Sequence, residues 1–238
     1  MRTVLQLVAL DARVRLAGGS HNTSDGLNKR LLNTLKAGYR LNTSRLQLLN
    51  LLDVQSSLER LRHVAPARRG SMQPPDLRKL EQCLTEVRRS LMMAGEVWNL
   101  AGSAFTHLTR LLPVQLEGEE PRFEPIESEE LQRLALFNAS IPIEKRAPVS
   151  FSEELARYKK AAADVTATTA RVARAGETLR NAENGFRVGV LEAHELASAL
   201  LEHSQRRREL MQRKMRACVA RDTLYALAGL LPKRLGLS

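Results

Sequence analysis

The chain has 238 residues, is 43% hydrophobic and only 4% aromatic, and carries a formal net charge of +11 with a pI near 10.3. Ala, Leu, Arg and Glu dominate and alternating β-branched runs are scarce. This excludes an all-β fold and points to an all-α chain with aliphatic rather than ring-stacked cores. The positive balance admits nucleic acid, an anionic surface or an acidic partner, while the distant Cys83 and Cys218 have no metal-type spacing and each reads as a small apolar core residue.

Residues 1–17 read as a helix, with Leu5, Val8, Leu10 and Val14 among polar neighbours. Asp11 and Arg13 interrupt its apolar run too soon for a convincing signal peptide or membrane helix. Glycine-rich residues 18–26 break the pattern, and Ser24 or Asp25 is the expected cap of a helix reaching about Arg40. Gly38-Tyr39-Arg40-Leu41-Asn42-Thr43 then reads as a tight turn with Asn42 left-handed, since Asn is the commonest non-glycine residue in that conformation. Leu46, Leu49, Leu52, Val54 and Leu58 continue as an apolar helix to about His63. Residues 65–76, with three prolines and Gly70, read as an exposed loop with no counterpart later in the chain, hence an insertion near 63–79. Asp76 is the expected N-cap of a helix running through Leu80, Cys83, Val87, Leu91 and Val97 to Leu112.

This first half, residues 1–113, is followed by an acidic, proline-containing linker over 114–147, with a short helix expected at Ser128–Phe137. The second half, 148–238, opens near Ser150, with Ser152 the expected cap and Glu154 close behind. A helix runs through Leu155, Val165, Val172 and Leu179 to Phe186-Arg187-Val188-Gly189-Val190. Gly189 takes a left-handed backbone at no steric cost, so a turn is expected there with Val188 and Val190 at its tip. The alternative is a continuous helix that tolerates one glycine at about 1 kcal/mol. The return segment carries Leu196, Leu200, Met211, Met215, Cys218 and Tyr225 at steps that share one narrow helical face.

The two halves echo each other. Gly38 to Thr43 matches Gly185 to Val190, with Asn42 answering Gly189, and Phe105 to Pro113 matches Leu224 to Pro232. An Asn opposite the Gly favours turns over straight helices. The expected fold is therefore a tandem repeat of two long antiparallel helical hairpins forming a coiled-coil-like bundle.

Catalytic signatures are missing from the sequence. There is no glycine-rich phosphate loop, and His21, His63, His107, His194 and His203 are scattered without metal spacing. The expectation is a non-enzymatic protein with no cofactor. The basic run Arg206-Arg207-Arg208 with Arg213, Lys214 and Arg216 reads either as a solvated helix face or as a footprint for nucleic acid or an anionic surface. No aromatic residue is interleaved there for base stacking.

The segment Asn181 to Leu196, followed by a long helix ending in Tyr225-Ala226-Leu227-Ala228-Gly229-Leu230-Leu231, resembles the TolC-like outer-membrane efflux proteins. That family is itself an internal duplication of helical hairpins. The resemblance implies a trimeric helical tunnel at the outer membrane and periplasm, whose tips dock the adaptor (membrane-fusion) protein of an export pump. By position, the implied contacts are Arg187, Val188, Gly189 and Val190 at one tip and Arg40, Leu41, Asn42 and Thr43 at the other. Because the linker shows no alternating ten-residue strands, the resemblance is to the helical part of the family, without its β-barrel.

Overall fold

The computed structural model describes residues 24–69, 74–113, 123–141 and 150–237. Among them are six helices and no strand: α1 (Ser24–Arg69), α2 (Pro74–Thr109), α3 (Ser128–Ser140), α4 (Phe151–Val188), α5 (Ala193–Leu227) and α6 (Leu231–Arg234). The all-α expectation holds. The expected helix at 1–17 and most of the glycine-rich break after it lie outside the described residues, as do the acidic run from Glu117 to Glu120 and the prolines at 121, 142 and 148.

The first expected turn is not at Asn42. α1 is helical from Ser24 to Arg69 without a break, and Asn42 is not among the left-handed residues. The reason lies in a stripe of buried side chains, Leu31, Leu35, Tyr39, Asn42, Leu46, Asn50, Val54, Leu58 and Leu61. Their steps of three and four run through Asn42 unchanged, so the residue is one more position on a continuous inner face. Most of the stretch read as an insertion near 63–79 belongs to helix, to the end of α1 at Arg69 and the start of α2 at Pro74. Pro74 and Pro75 are acceptable there because a first helical turn has no intrahelical use for their missing N–H groups. α2 therefore starts two residues ahead of the expected cap Asp76, which instead sits in the first turn, where a negative charge suits the helix dipole.

The chain divides into two compact units, and every long helix contributes to both. One unit gathers Ser44–Trp98 and Thr166–Met211. Its core joins Val54, Leu58 and Leu61 of α1 to Leu80, Leu84 and Val87 of α2 and to Ala193 and Ala197 of α5. Arg62 pairs with Glu81 at 3.3 Å and Arg88 with Glu59 at 3.4 Å, which fixes α1 and α2 as antiparallel. Buried Asn50 donates from Nδ2 to Ser204 Oγ at 2.7 Å, joining α1 to α5. A satisfied amide in an apolar seam specifies one register, because any slip would strand it without a partner.

The other unit gathers the chain up to Thr43, Asn99–Val165 and the chain from Gln212 onward. Here the described part of the expected linker, 123–141, contributes to a core. Leu134 of α3 has no solvent exposure and packs with Tyr158, Ala220, Leu224 and Ala228. Tyr158 Oη accepts the Ile126 N–H at 2.6 Å, and Asn138 Nδ2 donates to the Leu227 carbonyl at 2.8 Å. α4 is capped by Ser150 rather than Ser152, since the Glu153 N–H donates to Ser150 Oγ at 3.2 Å.

Ion pairing reaches the centre of this unit. Asp222 is fully buried, and its Oδ1 lies 3.2 Å from Arg221 Nε and 3.1 Å from Arg234 Nε. Burial pulls the Arg221 guanidinium down, but the Asp222 charge outweighs it and holds the group above its ordinary value. Burial pushes the nearby Cys218 thiol up to about 11, so it is a packed, inert thiol rather than a nucleophile.

The matched ends of the two sequence halves share local features. α2 ends with Arg110 at φ 63° and α5 is followed by Gly229 at φ 73°, the positions matched at the ends of the two sequence halves. Phe105 and Leu224, also matched, are both fully buried. The offset that lays Arg110 on Gly229 carries Gly189 back to Gly70 in the sequence, not to Asn42. No insertion is then needed.

Candidate functional site

The turn after α4 is where the sequence placed its main candidates. Gly189 has φ 80°. Its N–H donates to the Phe186 carbonyl at 3.1 Å, and the Val190 N–H reaches the Gly185 carbonyl at 2.8 Å. This pair of bonds is a Schellman motif, which needs a left-handed residue where the helix stops and so selects glycine. Gly185 has a separate reason to be glycine. A Cβ there would lie 2.8 Å from both Cγ and Cδ1 of Leu191, so the side chain of Leu191 folds back onto the last turn of α4 only because that space is empty. On the far side, Glu195 Oε2 accepts the Glu192 N–H at 2.7 Å, half of a capping box that starts α5.

The result is a short turn closed at both ends by backbone and cap hydrogen bonds. Val188 and Val190 stand 70% and 76% exposed on it. Arg187, also exposed, donates to Asn184 Oδ1 at 3.0 Å. Arg187, Val188, Gly189 and Val190 are thus gathered on one turn, as the sequence suggested.

The four residues of the other candidate tip are not gathered on any turn. Leu41, Asn42 and Thr43 are buried in mid-helix, with 1%, 5% and 4% exposure, and only Arg40 reaches solvent. The structure removes them as a tip. What stands beside the Gly189 turn is the start of α2. Asp76 Oδ1 lies 3.0 Å from His194 Nδ1, a charge contact rather than an aligned hydrogen bond. Lys79 Nζ lies 3.8 Å from the same carboxylate and 3.4 Å from His194 Nε2. Asp76 and Lys79 open α2 and His194 opens α5, so the starts of these two helices stand side by side. Asp76, expected only as a cap, and His194, one of the scattered histidines, are far apart in the chain, so nothing in the sequence pairs them.

The basic run of α5 is largely engaged within the protein. Arg206 pairs with Glu202 at 3.5 Å and with Glu209 at 3.6 Å, and Arg213 with Asp164 at 2.7 Å. Burial lowers the Arg208 guanidinium from its ordinary value.

Among the described residues no group of three or more His, Cys, Asp or Glu side chains is placed to hold a metal ion, and no helix is long and apolar enough to cross a membrane. No protein-family model matches the chain, and no curated protein matches its sequence.

Proposed function

We propose that this chain is a non-enzymatic helical-hairpin component of a TolC-like export assembly at the outer membrane and periplasm. In this role it docks a helical adaptor (membrane-fusion) protein through the Gly189 turn and the helix starts beside it. The observation that supports the reading is the Asp76–His194 contact at 3.0 Å, which joins the start of α2 to the start of α5, just after the Gly189 turn. Val188 and Val190 then form an exposed apolar pair on a rigid turn, with Arg187 next to them. Such a pair suits a partner hairpin that offers small apolar groups and a complementary charge. The first contact set moves from Arg40–Thr43 to the start of α2, at Asp76 and Lys79.

A homo-oligomer, trimeric by the family resemblance, draws support from a second feature of the same unit. Leu49 and Leu52 of α1 and Met93 and Val97 of α2 are each between 43% and 60% exposed. The antiparallel pairing of Glu59 with Arg88 and Arg62 with Glu81 sets these apolar residues at the same height along the two helices. Exposed apolar side chains concentrated at one level are a common mark of a self-association surface. The basic-scaffold alternative draws less support, because Arg206 and Arg213 of the Arg206–Arg216 run are held in internal ion pairs.

The reading is tested by mixing the chain with the isolated helical hairpin of an adaptor protein and following both by analytical ultracentrifugation. The expected result is an oligomer of the chain that binds the hairpin, with binding lost in Val188→Ser/Val190→Ser and folding unchanged. A monomer that retains no adaptor hairpin sinks the proposal.

A further inference from the structure

The unit containing α3 holds a groove of about 630 Å³ that the tip reading does not use. Three helices line it, and each brings two cations one turn apart: Lys36 and Arg40 from α1, Arg157 and Lys160 from α4, Arg213 and Arg216 from α5. Only two carboxylates answer them. Glu154 pairs with Arg157 at 3.2 Å and Asp164 with Arg213 at 2.7 Å. Among the described residues, no carboxylate pairs with Lys36, Arg40, Lys160 or Arg216. The floor between them is apolar, from Ala161, Met215, Val219 and Ala220.

Four unneutralised cations in one concavity repel one another, and a low-dielectric floor strengthens that repulsion. Cations gain by dispersing over a convex surface. Here the sequence places them around one groove, which favours an anion of several charges over separate ones. A lone carboxylate would neutralise one charge and leave three. A multivalent phosphate would neutralise most of them and accept forked hydrogen bonds from the two arginines. The apolar floor gives room for an organic body attached to the phosphates. A flat membrane surface fits the concavity less well than a small ligand does.

We propose that this groove binds a small organic polyphosphate, with Lys36, Arg40, Lys160 and Arg216 as its phosphate contacts and the Met215–Val219 floor against its organic part. The site is independent of the hairpin turns and of their proposed partner. Arg157 and Arg213 act as positioning residues, since their charges are already committed to Glu154 and Asp164.

The test is isothermal titration at low salt with three probes: inorganic tripolyphosphate, ATP and a single-stranded oligothymidylate. Vesicle flotation with phosphatidylglycerol against phosphatidylcholine is the fourth arm. Tripolyphosphate and ATP should both bind, ATP the more tightly because of the floor, and both should weaken as salt is added. Lys160→Glu/Arg216→Glu should weaken both by at least about tenfold, as expected when two favourable charge contacts become repulsive. Arg206→Glu, outside the groove, should leave them unchanged. Lys160 and Arg216 are exposed, so the double variant should melt like the parent, and Lys160→Gln/Arg216→Gln repeats the measurement without charge reversal. No binding of tripolyphosphate or ATP at low salt overturns the proposal. So does equal weakening by Arg206→Glu, or binding confined to oligothymidylate or to phosphatidylglycerol vesicles.

Discussion

Tyr39 and Asp222 lie 183 residues apart in the chain, yet Tyr39 Oη donates a buried hydrogen bond of 2.8 Å to Asp222 Oδ2. The bond joins α1 to α5 and completes the set of donors around a carboxylate that has no access to water. Tyr39→Phe removes one donor and leaves the oxygen short of a partner, which should cost about 1–3 kcal/mol. Asp222→Ala leaves Arg221 and Arg234 facing each other without their shared anion, and should cost more, about 3–5 kcal/mol. Urea denaturation of the two variants checks both the size and the order. A Tyr39→Phe variant as stable as the parent would show that the bond holds nothing.

The same neighbourhood sets an alkaline limit. The Cys218 thiol, buried first and foremost, titrates at about 11 in the folded chain against an ordinary value of 9.0. Between those values the unfolded chain has released the proton and the folded chain has not. The folded state therefore binds more protons, and stability falls as pH rises through this window, by about 2–3 kcal/mol in total. Burial and then Asp222 raise Tyr39 as well, so its contribution is complete below its ordinary value of 10.0 and declines above it. Thermal melting from pH 8 to 11 should show a steeper decline in the parent than in Cys218→Ala, which keeps the parts due to Tyr39, Tyr225 and Cys83, all raised by burial first. Parallel curves would refute the assignment.

At the Gly189 turn, two glycines should respond in opposite ways to their surroundings. Gly189→Val forces a β-branched residue into a left-handed backbone and should cost about 1–2 kcal/mol in any background. Gly185→Ala should be destabilising beside Leu191, whose Cγ and Cδ1 would lie 2.8 Å from the new methyl. In a Leu191→Ala background the same change should stabilise, by about 1 kcal/mol, because Ala is the better helix former. A double-mutant cycle read by chemical denaturation decides this. No coupling between positions 185 and 191 would mean that the side chain of Leu191 does not occupy the space.

Arg110 offers a gain. It is the one left-handed non-glycine residue among those described, at φ 63°. Its turn is held by the Arg110 N–H to the Thr106 carbonyl at 2.8 Å and by Thr109 Oγ1, which accepts the Leu111 N–H at 3.1 Å. Arg110→Gly keeps both bonds and relieves the steric cost of the conformation, about 1–2 kcal/mol, against which glycine's looser unfolded chain offsets part. A net gain of about 0.5–1 kcal/mol is expected, visible as a higher melting temperature.

Composition and periodicity identified the helices and the second turn, because a left-handed stop at Gly189 has a strong chemical signature and exposed valines flank it. The first turn was misread at Asn42, where a local likeness to Gly185–Val190 was given more weight than the unbroken three-and-four spacing from Leu31 to Leu61. An asparagine can satisfy its amide at a helix seam as readily as in a turn, as Asn50 does against Ser204. Composition alone does not separate those uses. The proline cluster near 74 looked like a loop, although proline is equally at home in the first turn of a helix. The cationic groove and the Asp222 network could not be read from the sequence, since their members come from three helices and meet only through tertiary packing.

That every long helix supplies both compact units has a bearing on how the chain assembles during synthesis. Each hairpin joins neighbouring segments, so the Arg62–Glu81 and Gly185–Leu191 contacts close small loops at little entropic cost. Tyr39 finds Asp222 only after the 183 residues of separation have been made. The groove, which draws residues from α1, α4 and α5, is accordingly completed later than either local contact.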